Sequence, residues 1–116
     1  MSKKINYVIT GNDKSVEIKV ALNHRITIQQ QTNAINNWIN IAKLWAFISP
    51  AGSNYIENNA EITHVIYIRY NNNIKINQKV LFQNRYFIIL GIIHQNEEKK
   101  ITILTAKEIV NNRSMV

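Results

Sequence analysis

The chain contains no cysteine, one proline and three glycines. Without cysteine there is no disulfide framework and no thiolate metal site, which suits a reducing compartment. No apolar run approaches the roughly 18 residues that a membrane-spanning helix needs. The opening segment, MSKKINYVIT, lacks the long apolar core of a secretory signal. Acidic residues are also few: seven Asp and Glu face 14 Lys and Arg, for a formal net charge of +7. Such a surplus serves solubility and also favours an acidic partner, nucleic acid being the commonest. The basic residues are scattered singly or in pairs, such as Lys3-Lys4 and Lys99-Lys100, with no basic block. At 116 residues the length predicts one domain with a modest core.

Catalytic groups are equally scarce. The lone aspartate, Asp13, sits in a turn, and the glutamates fall mainly in loops or at strand ends. No pair of them reads as a general acid/base dyad, and no serine stands in a nucleophile elbow. There is neither a dinucleotide-binding fingerprint nor a phosphate-binding loop. His24, His64 and His94 lie far apart, each in or beside a predicted strand, without the carboxylate spacing of a metal site. The reading is therefore of a protein with no catalytic, cofactor-binding or metal residues, and not of an enzyme.

What is present is β structure. Ile5–Thr10 and Val16–Ala21 flank the turn GNDKS, which predicts a hairpin or arm over residues 1–21. Arg25–Gln30 alternates, with Ile26 and Ile28 on one face and Arg25, Thr27 and Gln29 on the other, as a half-buried strand requires. Ile35–Ile48 satisfies both a helical and a two-residue period, and periodicity leaves the choice open. Ile62–Tyr70, Lys79–Phe82, Tyr86–His94 and Lys100–Lys107 read as strands, and Gly91 as a bulge or bend. Ser49–Ala60 (SPAGSNYIENNA) is the longest irregular stretch within the chain, and residues from Ile109 onward read as a tail. The expected fold is all-β: a small antiparallel barrel or sandwich of about six strands, with a long loop after the second core strand and an N-terminal extension.

Aromatic residues (Trp38, Trp45, Tyr55, Tyr67, Tyr70, Tyr86, Phe87) suit core and interface packing, with base stacking as the alternative. Arg69 and Arg85 stand among apolar residues, where arginine is usually paired with a carboxylate; Glu61 is the first partner to test.

Several short signatures occur in order: LNHRITIQ at Leu22–Gln29, then Trp38, LWAFISP at Leu44–Pro50, IYIRYNNNI at Ile66–Ile74, QKVLFQNRYFII at Gln78–Ile89 and ITILTAKE at Ile101–Glu108. This ordered set resembles the phage head–tail joining family, also called head-closure or stopper proteins, over about residues 22–108. The resemblance implies a small β-barrel that assembles into a ring homo-oligomer, a hexamer or dodecamer, in the neck of a tailed phage, prophage or gene transfer agent particle. It implies a portal or adaptor protein on one side, a tail terminator or tail tube protein on the other, and packaged double-stranded DNA in the channel. Before assembly the chain would reside in the host cytoplasm. No membrane and no cofactor are implied.

The resemblance carries over at named positions. Arg25 and Thr27 match the first-strand RIT pattern. Trp45 and Ala46 match the WA pair of the second strand, which favours strand over helix there. Arg69 and Tyr70 match an RY pair. Arg85 and Tyr86 match a turn that usually has glycine where Asn84 stands, and asparagine is among the residues that best tolerate positive φ. Arg25, Trp45, Arg69, Tyr70, Arg85 and Tyr86 are thus candidate interface or structural residues. By resemblance, the loop Ser49, Pro50, Ala51, Gly52, Ser53, Asn54, Tyr55, Ile56, Glu57, Asn58, Asn59, Ala60 is a candidate DNA gate; it has no Lys or Arg, which suits a plug better than a phosphate clamp. The competing reading is a free nucleic-acid-binding small β-barrel.

Overall fold

The computed structural model describes residues 6–10, 17–53, 59–95 and 100–110. Among the described residues, eight strands follow one another: β1 (Asn6–Thr10), β2 (Glu17–Ala21), β3 (His24–Gln31), β4 (Trp38–Pro50), β5 (His64–Arg69), β6 (Lys79–Phe82), β7 (Arg85–Gln95) and β8 (Ile101–Ile109). β1 and β2 pair only with each other, in register Asn6↔Ala21 to Thr10↔Glu17. The remaining six close into a barrel in the order β3-β4-β5-β8-β7-β6, sealed by antiparallel pairing of β3 with β6 (Thr27↔Leu81, Ile28↔Val80, Gln29↔Lys79). Closure removes most of the edges that an open sheet would expose, leaving the first part of β4, which runs beyond its pairing with β5. The expected small antiparallel barrel is the observed fold.

The alternation of β3 sets which face turns inward. Ile26 and Ile28 are buried while Arg25 is exposed. The same alternation in every wall strand brings Ile26, Ile28, Ala46, Ile48, Ile66, Ile68, Val80, Phe87, Ile89, Leu104 and Ala106 into one core. β-Branched side chains fit this pleated, crowded interior. Ile35–Ile48, open between helix and strand by periodicity, resolves as strand from Trp38 onward. Its two apolar faces have separate partners: Ala46 and Ile48 face the barrel core, while Trp45 and Phe47 pack on a second cluster outside it. That second cluster (Leu22, Val65, Ile101, Ile103) makes Ile101–Ala106 of β8 buried throughout, on both faces. Leu22, fully buried between β2 and β3, ties the start of the barrel to this outer layer.

Two irregularities bend the wall. The β3–β4 register shifts between Ile28 and Gln29, and the β7–β8 register between Ile89 and Gly91. Such bulges raise local twist and help a narrow sheet close. At Gly91 the packing is close: a Cβ there would stand 2.6 Å from Thr105 Oγ1.

The connection from Tyr70 to Gln78 closes one end of the barrel. Ile74 enters the main core. The Tyr70 N–H donates to Lys100 O and the Asn71 N–H to Thr102 Oγ1, both at 3.0 Å. Buried Gln78 accepts from the Lys75 N–H and donates to Gln30 Oε1, each at 2.8 Å, so its polar side chain is satisfied. The β6–β7 hairpin turns on Gln83-Asn84, and the positive φ falls on Gln83 (56°), not on Asn84. The left-handed residue of this turn thus stands one place earlier than the glycine-based expectation.

Candidate functional site

Four of the six candidate residues meet in one place. Arg25, Trp45, Arg69 and Tyr70, with Lys43, Leu44, Ile68 and Asn71, line a cleft of about 230 Å³ on the barrel wall. Its position follows from strand lengths. β4 pairs with β3 along Trp38–Ala46 but with β5 only from Ala46↔Ile68 onward. β5 ends at Arg69 and the chain turns away, so β4 and β5 fork, and the cleft lies in the fork.

Alternation sets the chemistry of the cleft. Arg25 and Trp45 are cross-strand partners on the outer face, and the Arg25 guanidinium lies 4.9 Å from the Trp45 ring centroid. A guanidinium stacked on an indole face gains a cation–π contact while its in-plane N–H donors stay available. Lys43 lies two residues along β4 on the same face and is exposed. The Tyr70 ring packs 4.9 Å from the His94 ring, and His94 Nδ1 is 3.0 Å from Thr102 Oγ1, which also accepts the Asn71 N–H. Among the described residues, neither Arg25 nor Lys43 joins an ion pair, and no carboxylate lines the cleft.

Arg85 and Tyr86 stand elsewhere. Arg85 belongs to a polar network at the end of the barrel opposite the Tyr70–Gln78 connection. Its partner is Glu108, not the Glu61 expected from sequence: Nε donates to Oε2 at 2.9 Å and Nη2 to Oε1 at 3.1 Å. Glu61 instead meets Lys107 at 3.4 Å on the surface. The antiparallel register Phe87↔Glu108 brings Arg85 alongside Glu108. Arg85 Nη2 also donates to His64 Nε2 at 3.2 Å. Since His64 Nε2 accepts, its Nδ1 carries the proton and donates to Thr63 Oγ1 at 2.9 Å. The Thr63 hydroxyl accepts the Glu108 N–H as well, at 2.7 Å. Hydrogen bonding to Arg85 holds the Glu108 carboxyl below the usual carboxylate range, while Glu108 raises Arg85 further. Burial, then the Arg85 charge, lowers His64 against the opposing pull of Glu108. Burial, then Arg85, also lowers His24, whose Nδ1 accepts the Ile48 N–H at 3.0 Å.

Tyr86 is 46% exposed on the outer wall. Lys79, one strand away, lies 5.1 Å from its ring centroid and 4.2 Å from that of Trp38, an arrangement that sequence reasoning missed because it needs β4, β3, β6 and β7 side by side.

Of the segment Ser49–Ala60, Ser49 and Pro50 are the last residues of β4, paired with Val65 and His64. Proline has no N–H to give a ladder, and the strand's end tolerates that loss. Ala51 packs on the outer cluster and its N–H donates to Thr63 O at 3.0 Å; Gly52 and Ser53 are exposed. Asn59 and Ala60 are exposed, and the Asn59 side chain accepts the Glu61 N–H. Asn54, Tyr55, Ile56, Glu57 and Asn58 lie outside the described residues.

Among the described residues no group of three metal-ligating side chains stands together. The features that stand out are a cationic cleft, a locked polar network and exposed aromatic side chains.

Comparison with known proteins places this barrel. No curated protein matches. A solution structure of a protein from Shigella flexneri 2a is similar, with a TM-score of 0.60 and 25% sequence identity, covering 74% of this chain and 92% of that one. The sequence model of the phage head completion protein family matches residues 19–109, which contain the whole barrel and both polar sites just described. The chain belongs to the phage head completion protein family.

Proposed function

We propose that this chain is a head-closure component of a tailed phage or phage-like particle, forming a ring between the portal or adaptor and the tail. The observation that carries the reading is the family match over the whole barrel. The physical features agree with it. A ring subunit works through shape, exposed side chains and charge rather than through a reacting group. A net charge of +7 suits a surface beside DNA phosphates. In this reading the barrel is the rigid body, and the segment Ser49–Ala60 faces the channel and retains packaged DNA.

Imaging of purified particles tests the reading: a hexameric or dodecameric ring of this chain below the portal is expected. Particles in which the neck ring is built from another protein would remove it. Gating has its own test. Replacing residues 53–59 by a Gly/Ser linker should leave heads assembled but emptied of DNA, and full heads would overturn it.

The charge surplus also favours a second reading, a free barrel that binds nucleic acid. That reading expects the isolated monomer to bind short duplex DNA with a steep salt dependence. No binding at low salt would exclude it.

A further inference from the structure

The fork between β4 and β5 leaves an open strand edge. Trp38–Leu44 pairs with β3 on one side. On the other side, no strand or backbone group among the described residues bonds to it. Ile39 and Ile41, within this stretch, are 50% and 44% exposed. Edges of this kind are normally blunted with charges, proline or a cover, because unpaired N–H and C=O groups accept another strand. Here the single charge on the stretch is Lys43, at its end nearest the cleft.

We infer that this fork is a docking groove for an extended, acidic segment of a different protein chain, added as a strand to the Trp38–Leu44 edge. Main-chain hydrogen bonds to the edge would supply affinity, and side-chain pockets beside it would supply specificity. The pocket at the fork is lined by Leu44 and Ile68 and by two cations that join no ion pair among the described residues, Arg25 and Lys43. With no carboxylate in the lining, that pocket is complementary to an Asp or Glu side chain, and guanidinium groups bind carboxylates at two points.

Charge and shape select the occupant. A second copy of this chain is poor in the carboxylates that the groove calls for, with seven Asp and Glu against 14 Lys and Arg. Duplex DNA has phosphates but nothing to pair with a strand edge. Trp45 carries Arg25 against its ring and Tyr70 packs against His94, so each ring already has a partner on one side. An acidic strand from a neighbouring neck protein uses the edge, the apolar lining and the cations together.

The inference rests on the particle reading above, and one experiment separates the two. Particles carrying the chain with Ile41→p-benzoylphenylalanine are irradiated, and the adducts are mapped by mass spectrometry. Amide hydrogen exchange of the chain is compared between particle and free protein. The expected adduct lies in an Asp- or Glu-containing stretch of another virion protein. Amides of Trp38–Leu44 should slow at least about tenfold on assembly. Adding Arg25→Gln and Lys43→Gln should keep a cooperative melt, lowered by no more than the lost Arg25–Trp45 contact, and cut adduct yield at least about tenfold. An adduct to a second copy, an adduct to DNA, unchanged exchange, or a yield indifferent to the two Gln substitutions would each overturn the docking groove while leaving the connector reading intact. Absence of the chain from particles would overturn both.

Discussion

Arg85 and Glu108 meet at one end of the barrel through two hydrogen bonds, at 2.9 and 3.1 Å, and Arg85 reaches on to His64 Nε2 at 3.2 Å. The pair joins the first residue of β7 to the next-to-last residue of β8. The Glu108 side chain is 24% exposed and that of Arg85 40%, so solvent screens part of their attraction. Glu108→Gln should therefore destabilise the fold by about 1 kcal/mol, at the lower end for a charged hydrogen-bond network. Glu108→Ala, which strands Arg85 and His64, should cost about 2 kcal/mol. Urea unfolding midpoints measure both, and equal midpoints for wild type and Glu108→Ala would show the network to be energetically idle.

Stability should fall as pH drops below the histidine range. His64 and His24 have lowered pKa values in the fold against an ordinary 6.5, so the unfolded chain binds protons that the folded chain resists. Their contribution is complete above pH 6.5 and is lost as pH falls from there toward the folded-state values. Glu108 adds a second loss at lower pH, since its carboxyl is depressed below an ordinary 4.5. Melting temperatures from pH 8 down to about pH 2 should decline in both ranges. His64→Gln should flatten the first; an unchanged slope would mean that His64 does not carry it.

Gly91 should accept no side chain while Thr105 faces it. Its added Cβ would stand 2.6 Å from Thr105 Oγ1, well inside contact distance. Gly91→Ala should cost about 1–3 kcal/mol, the usual range for overpacking. Thr105→Ala in the same chain should recover most of that. A double-mutant cycle with no coupling would place the strain elsewhere.

The β6–β7 turn should improve with glycine at one position only. Gln83 holds φ of 56°, a conformation costing a residue with a Cβ about 1 kcal/mol. Gln83→Gly should be neutral to stabilising by up to about 1 kcal/mol, whereas Asn84→Gly should gain nothing. Opposite rankings in chemical denaturation would move the left-handed residue to Asn84.

Phe87 should dominate the core. It is fully buried, edge-on to His64 at 5.2 Å between ring centroids. Phe87→Ala should cost about 3–5 kcal/mol, enough to unfold a marginally stable small domain at moderate temperature. A cooperative melt close to wild type would contradict the assigned core.

Much of the wall was legible along the chain. Alternation in Arg25–Gln30 gives the inward Ile26 and Ile28, and Gly91 marks the β7 bulge, because a strand's two faces differ in burial and its irregularities need small residues. Periodicity alone left Ile35–Ile48 open, since a strand with two buried faces loses its alternation. The ordered motifs from Leu22 to Glu108 carried the family, and Arg25, Trp45, Arg69 and Tyr70 stood out among them as separate pairs.

The sequence by itself determined an all-β chain with a cationic surplus, because composition and two-residue alternation are local properties. Only the tertiary structure decided the partners. Glu108 rather than Glu61 binds Arg85, because antiparallel register, not proximity in sequence, sets which ends of β7 and β8 meet. The RIT, WA and RY motifs converge on one cleft because β5 ends before β4 does, a difference in pairing length that no segment contains alone.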